Sequence, residues 1–286
     1  MKIVNCIGGL GNQLFQYSFY MYLKRQYPTE KILFDTYGLK NYKVHNGLEL
    51  NEFLSLDLES RSFIFNRFLL TTDELPTTIK ILRKLLPKKE FIEHCSQEYK
   101  FIHSVDYLDG KSLYFKGYWQ NYKYIEDNLK FIKSCVKDID LNERNKKYKN
   151  EILSSNSVSI HVRRGDYVDH PLFSGVCEIS YYQKAIEEIK NKIKDAKFFI
   201  FTNDPKWVEE NFVGFDYCIV SGNKKQAYVD LYLMMKAKNS IIANSSFSWW
   251  GALLKDKEDG HVIAPQKWNN EGLSTRSISP NTWQFL

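Results

Sequence analysis

Residues 157–167 read Ser-Val-Ser-Ile-His-Val-Arg-Arg-Gly-Asp-Tyr, an alternating apolar run that ends in two arginines, a glycine and an aspartate. A guanidinium is a planar fork of donors that matches phosphate oxygens two at a time, so Arg163 and Arg164 together suggest a phosphate-bearing ligand. The alternative is a surface salt bridge from either arginine to Asp166. Two further stretches could bind an anion. Ile7-Gly8-Gly9-Leu10-Gly11-Asn12-Gln13 is a glycine loop ahead of a helical run, where backbone N–H groups can approach a ligand and the helix end adds partial positive charge. It is a poor dinucleotide fingerprint, because a GxGxxG reading from Gly9 places Leu14 at the third glycine. Asn12 and Gln13 either cap that helix or face a cleft. Residues 241–251, Ile-Ile-Ala-Asn-Ser-Ser-Phe-Ser-Trp-Trp-Gly, carry a buried-looking strand straight into small hydroxyl residues at a helix start, where Ser245 and Ser246 either cap the helix or hold phosphate.

Positioning such groups requires strands that end where they sit. Val158, Ile160 and Val162 have the period-two spacing of a strand, and in open α/β sheets ligands bind beyond the carboxyl ends of strands. From residue 157 onward the alternation is regular, with strands at 157–162, 197–202, 217–220, 240–243 and 261–264 and helices at 180–194, 205–212, 225–236 and 246–254. That rhythm predicts a parallel sheet wrapped by helices. The N-terminal half begins with a strand at 2–6, a helix to about Tyr27 and a strand at 31–35. Residues 36–110 are irregular and rich in tyrosine and phenylalanine; a strand follows at 113–118 and a helix at 122–135. The charge-dense run 142–151 reads as a linker or exposed helix, dividing the chain into domains at 1–150 and 151–286. Trp119 and Tyr122 either stack on a sugar ring or pack in the core. Asn203 or Asp204 caps the helix opened by Pro205. Asp230 interrupts an apolar helical run and needs a partner: an internal lysine, a backbone cap, or an N–H-rich ring such as guanine.

Composition narrows the class. The chain has 286 residues, 43% of them hydrophobic, and can bury a sizeable core. No stretch approaches the roughly 18 apolar residues of a membrane span, and Met1–Asn5 leads into glycines and amides rather than a signal-peptide core, which places the protein in the cytoplasm. Five scattered cysteines without a CxxC pair fit reduced thiols. No HExxH or His/Cys cluster has metal-ligand spacing. The formal charge is +6. Residues 61–89 hold Arg61, Arg67, Lys80, Arg83, Lys84, Lys88 and Lys89 against Asp73 and Glu74, interleaved with apolar side chains. Such a segment is either a pair of amphipathic helices with a solvated basic face or a peripheral contact with the anionic inner membrane.

Four stretches, Gly8–Tyr17, His161–Asp166, Phe201–Asp204 and Ile241–Gly251, in that order, resemble the signatures of the bacterial α-1,2-fucosyltransferases. The similarity spans the chain, and its specific parts are HxRRxD and ANSSFSWWG. Residues 36–115 match no signature, and acceptor specificity is expected there. The resemblance implies a GT-B type fold with two Rossmann-like domains facing a cleft. It further implies GDP-fucose as donor, a galactose-containing oligosaccharide as acceptor, inversion, no metal and no cofactor. By position, Arg163 would neutralise the β-phosphate of the leaving group beside His161. Ser245, Ser246 and Phe247 would hold the diphosphate and flank the nucleoside. Asn12, with Gly8, Gly9, Gly11 and Gln13, would approach phosphates or fucose from the N-terminal domain. Arg164, Asp204 and Asp230 complete the donor side. Asp166 is the nearest acidic candidate for a catalytic base, or it fixes one of the arginines, and a loose transition state would lessen the need for a base. Another linkage or acceptor is the alternative within this class. Outside it stands a non-catalytic glycan- or nucleic-acid-binding module, suggested by 15% aromatics and positive charge; nucleic-acid binding would weaken steeply with salt, and no nucleic-acid partner is expected.

Overall fold

The structure, a computed structural model, describes residues 1–39, 46–56, 100–102, 114–256 and 259–286, with Thr78, Ile81, Leu85 and the backbone of 90–92. The chain forms two compact units, one of residues 1–48 and 55–135, the other of 49–54 and 136–286. Most of the basic segment 61–89, and Cys95, lie outside the described residues. Among the described residues no helix is long and apolar enough to cross a membrane.

The first unit is built on a wholly parallel sheet. Its strands are β1 (Lys2–Asn5), β2 (Ile32–Asp35), β3 (Glu90–Ile92) and β4 (Tyr114–Lys116), in the order β2-β1-β4-β3. Helix α1 (Leu10–Gln26) follows β1 and is buried along most of its length, as its run of aromatic residues requires. Phe19 meets Phe115, Trp119 and Tyr124 at ring-centroid distances of 5.6, 4.0 and 5.1 Å. The helix expected over 122–135 is broken into 3-10 turns at Tyr122–Tyr124 and Glu126–Asn128 and a short helix, Leu129–Ser134. The cause is local: Asn121 accepts the Lys123 N–H at 3.0 Å, offering the backbone a turn in place of a helical bond.

The second unit holds a six-stranded parallel sheet in the order β10-β9-β8-β5-β6-β7. Its strands are β5 (Asn156–Val162), β6 (Ala196–Thr202), β7 (Tyr217–Val220), β8 (Asn239–Ile241), β9 (Val262–Ala264) and β10 (Gln284–Phe285). The charge-dense run before β5 is helical over Glu143–Ser154. A helix follows β5 at Ile179–Lys192, β6 at Pro205–Asn211, β7 at Ala227–Lys236 and β8 at Ser246–Leu253. Tyr181, Tyr182, Ala185, Ile186 and Ile189 form the buried stripe of the first of these and pack on Val158, Ile160 and Ile200. The alternation of β5 marks the strand without marking an exposed face. Ser157, Ser159 and His161 are buried along with Val158 and Ile160 between them, because a parallel sheet is covered on both sides. The two serines are met internally: Ser157 Oγ accepts the Lys238 N–H at 3.1 Å and Ser159 Oγ lies 3.1 Å from Ser240 Oγ. The α/β class expected from the sequence is what both units show.

Candidate active site

From β5 the second unit is built outward to β6 and β7, then the chain crosses to the other side of β5 to lay down β8. The strand order therefore reverses between β5 and β8, and a crevice opens beyond their carboxyl ends at such a switch point. Arg163 leaves one of these strands and Asn244–Ser246 the other, so the two stretches singled out for phosphate chemistry converge there.

The side chains at this point are held by specific contacts. Arg163 donates to Asp166 at 2.7 Å and its guanidinium lies 5.4 Å from the Tyr167 ring. Tyr167 is within hydrogen-bonding reach of the Ser245 side chain, and burial raises its hydroxyl to about 12, against the opposing pull of Arg163. Ser245 caps the helix Ser246–Leu253, accepting the Phe247 N–H at 3.4 Å. Ser246 and Phe247, both half-buried, open the first turn, where helical N–H groups lack partners within the helix. His161 lies 5.6 Å from the Phe247 ring. Burial first, and then the positive charge of Arg163, hold its imidazole down at about 3. The ring is neutral, and its Nδ1 has no hydrogen-bond partner among the described residues.

Arg164 turns elsewhere. Its Nε donates to Asp204 at 3.3 Å and its guanidinium stacks 4.2 Å over Trp207. Asp204 also caps the helix after β6, accepting the Trp207 N–H at 3.2 Å. Asn203 does not cap: its Oδ1 accepts the Arg164 N–H at 3.0 Å, and its Nδ2 fills the space a Cβ at Gly165 would need. Of the two arginines, Arg163 is the one beside Tyr167, which reaches Ser245 after β8. Asn203, Tyr167 and Trp207 position the pair, and only the Asn203 neighbourhood had drawn notice from its spacing. Among the described residues Asp230 finds neither a lysine nor a backbone cap. Its Oδ1 accepts from Asn223 Nδ2 at 2.7 Å, and burial raises its carboxyl to about 6, with Asn223 and Arg144 pulling the other way.

In the first unit the glycine loop is riveted by glutamines. Gln13 Nε2 donates to the carbonyls of Gly8 and Gly47 at 2.9 and 2.8 Å. Gln16 accepts the Ile7 N–H at 3.0 Å and donates to the Gly117 carbonyl at 2.9 Å. Neither Asn12 nor Gln13 caps α1, whose N-cap is Gly9. Half-buried Asn12 accepts from Gln120 Nε2 at 2.8 Å and lies directly over Gly8, where φ is +79° and a side chain would collide with it. Gly9 and Gly11 flank that turn. Trp119 corrects the expectation of a sugar platform: it is fully buried and stacked on Phe19, so no ring face is open to a ligand. Tyr122 is half-buried. Among the described residues no three His, Cys, Asp or Glu side chains gather as metal ligands would.

Comparison with known proteins extends this geometry. The family described as Glycosyl transferase family 11 matches residues 1–286. An Escherichia coli protein named alpha-1,2-colitosyltransferase is 32% identical over 293 residues, covering 98% of this chain and 97% of its own. The E. coli O-antigen biosynthesis glycosyltransferase WbnK is 33% identical over 304 residues, covering 96% and 97%. Among solved structures, POFUT1 in complex with GDP-fucose has a TM-score of 0.48 at 13% identity, covering 100% of this chain and 97% of that one.

Proposed function

The chain belongs to glycosyl transferase family 11, and from that premise we propose that it moves L-fucose from GDP-fucose to the 2-hydroxyl of a β-galactoside in a surface glycan, with inversion at the anomeric carbon and without a metal ion. The observation that carries this reading is the convergence of Arg163 with Ser245, Ser246 and Phe247 at the β5/β8 switch point of one parallel sheet. In the reaction the acceptor oxygen bonds to C1 of fucose as the bond from C1 to the β-phosphate oxygen breaks, and the hydroxyl proton leaves to a base or to water. Negative charge builds on the departing diphosphate and must meet preorganised donors. Arg163 supplies two guanidinium N–H groups, and the first turn of the helix at Ser246 supplies backbone N–H groups and the positive end of its dipole. Phe247 and neutral His161 flank the nucleoside, and Asp230 offers an acceptor to the N–H groups of guanine. Asn12 and the glycine loop of Gly8, Gly9 and Gly11, braced by Gln13, serve the fucosyl side. Arg164 and Asp204 act as a strut under the loop that bears Arg163. Asp166 holds Arg163 in place, and the same carboxylate is the candidate base, freed as the arginine shifts toward phosphate.

A second reading has its own support. The name of the E. coli relative points to colitosyl transfer, so the donor sugar is colitose in place of fucose. Either way the acceptor is a growing glycan of the O-antigen kind, met on the cytoplasmic side of the inner membrane. Thermal unfolding with GDP, ADP and no nucleotide tests the nucleotide assignment. GDP at about 100 times its Kd stabilises the native state by about 2.7 kcal/mol, whereas equal melting temperatures in all three conditions would refute it.

A further inference from the structure

Residues 47–54 read Gly-Leu-Glu-Leu-Asn-Glu-Phe-Leu. The chain builds the first unit up to Leu48, deposits residues 49–54 in the second unit, and resumes the first at Ser55. Leu50, Phe53 and Leu54 are fully buried there, which accounts for the anchoring of so short an excursion. Glu49 needs a separate explanation. It is only 4% exposed, and a carboxylate taken out of water must be compensated. Its Oε1 accepts the Ala227 N–H at 2.9 Å, across 178 residues of sequence. Ala227 is the first residue of the helix Ala227–Lys236, whose N-cap, Gln226, makes no side-chain capping bond. The glutamate from the far end of the chain fills that role.

The same helix carries Asp230 in its first turn. Asn223 holds Asp230, and Asn145 holds Asn223 through amide bonds of 3.0 and 3.2 Å. Arg144 lies against Gly222, where φ is +94° and any side chain would strike the guanidinium. This group follows the carboxyl end of β7, and Val220 is level with Phe201 of β6. It therefore lies at the same end of the sheet as Arg163 and Ser245. A helix N-terminus needs nothing more than serine or asparagine at the cap, at small cost. Here instead the buried Glu49 and the half-buried Asp230 meet at one helix turn, and the charge of Glu49 adds to burial in raising the proton affinity of Asp230. Carboxyls perturbed by burial and a specific charged neighbour are concentrated at functional sites.

We infer that Glu49 is a positioning residue for nucleotide binding: by fixing the first turn of the Ala227–Lys236 helix it sets the place of the Asp230 carboxyl that meets the nucleotide base. This rests on the reading of the second unit as the GDP-binding unit. The test is calorimetric titration of GDP into the full chain and its Glu49→Ala, Glu49→Gln, Asp230→Asn, Glu49→Ala/Asp230→Asn and Arg163→Ala variants, with donor and acceptor KM measured alongside. Glu49→Ala is expected to weaken GDP about fivefold, the worth of a lost cap, and to raise donor KM while leaving acceptor KM in place. Glu49→Gln keeps an oxygen for the Ala227 N–H and should recover most of the loss. In the Asp230→Asn background Glu49→Ala should add nothing, because both act through one carboxyl. Wild-type GDP affinity in Glu49→Ala, or a full additive loss in the double variant, overturns the inference. Should Glu49→Ala fail to fold, Glu49→Asp, one methylene short of Ala227, is read the same way. If Arg163→Ala weakens GDP and Glu49→Ala does not, only the role of Glu49 falls; if Arg163→Ala binds GDP as the wild type does, the nucleotide assignment falls and takes the inference with it.

Discussion

Replacing Arg163 by lysine separates charge from shape. Lysine keeps one positive charge and loses the fork that engages two oxygens together, so bonds made chiefly in the transition state are lost. Arg163→Lys should lower kcat about a hundredfold, roughly 3 kcal/mol, with the melting temperature unchanged. Steady-state rates and a thermal melt on the same preparation decide it. His161 predicts a pH effect of known sign. Its folded pKa, about 3, lies below the ordinary 6.5. Between those values the native state binds fewer protons than the unfolded chain, so the contribution of His161 to stability is full above about 6.5 and is lost as the pH falls toward 3. His161→Gln should flatten that acid limb of a melting-temperature profile, and an unchanged limb would mean that the ring is not buried neutral. Asp230 works in the opposite sense. Its raised carboxyl, at about 6, contributes stability at low pH that is lost as the pH rises through 6, and Asp230→Asn removes that dependence.

At the scale of elements the regular half of the chain was legible and the site legible only in part. Strands at 157–162, 197–202 and 217–220 and the helices after them lie within a few residues of where their periodicity puts them. Each carries one dominant apolar pattern, and Asp204 caps the helix that Pro205 opens. The helix expected at 122–135 failed because Asn121 diverts its first turn, a local competition that an apolar count over fourteen positions averages away. Trp119 stood between two readings for another reason. An aromatic in a turn has the same appearance whether it packs or binds, and only the position of Phe19 decides. Trp119→Ala should accordingly cost about 3–5 kcal/mol of stability in a denaturant titration rather than change acceptor KM selectively. Gly165 makes the parallel case at the site. A β-carbon there displaces Asn203 and the bond it makes to the Arg164 N–H, so Gly165→Ala should reduce kcat/KM for the donor while β5 and β6 keep their register. Contacts such as Asn203 with Gly165, or Glu49 with Ala227, join residues far apart in sequence, and neither spacing nor composition announces them.

For the whole molecule, chelation tests where the charge on the leaving group is met. If Arg163 and the helix at Ser246 neutralise the diphosphate, turnover should persist in excess EDTA; loss on chelation with recovery on adding Mn²⁺ or Mg²⁺ would mean that a cation shares that work. The most direct test of the account joins donor, acceptor and linkage in one observation: the purified chain is incubated with GDP-fucose and a β-galactoside in EDTA, and the product is read by mass spectrometry and NMR. The predicted result is one added fucosyl residue, α-linked to the galactose 2-hydroxyl, formed by the wild type and nearly absent with Arg163→Lys. A product of equal amount from both proteins, or a fucosyl group linked with retained anomeric configuration, would contradict it.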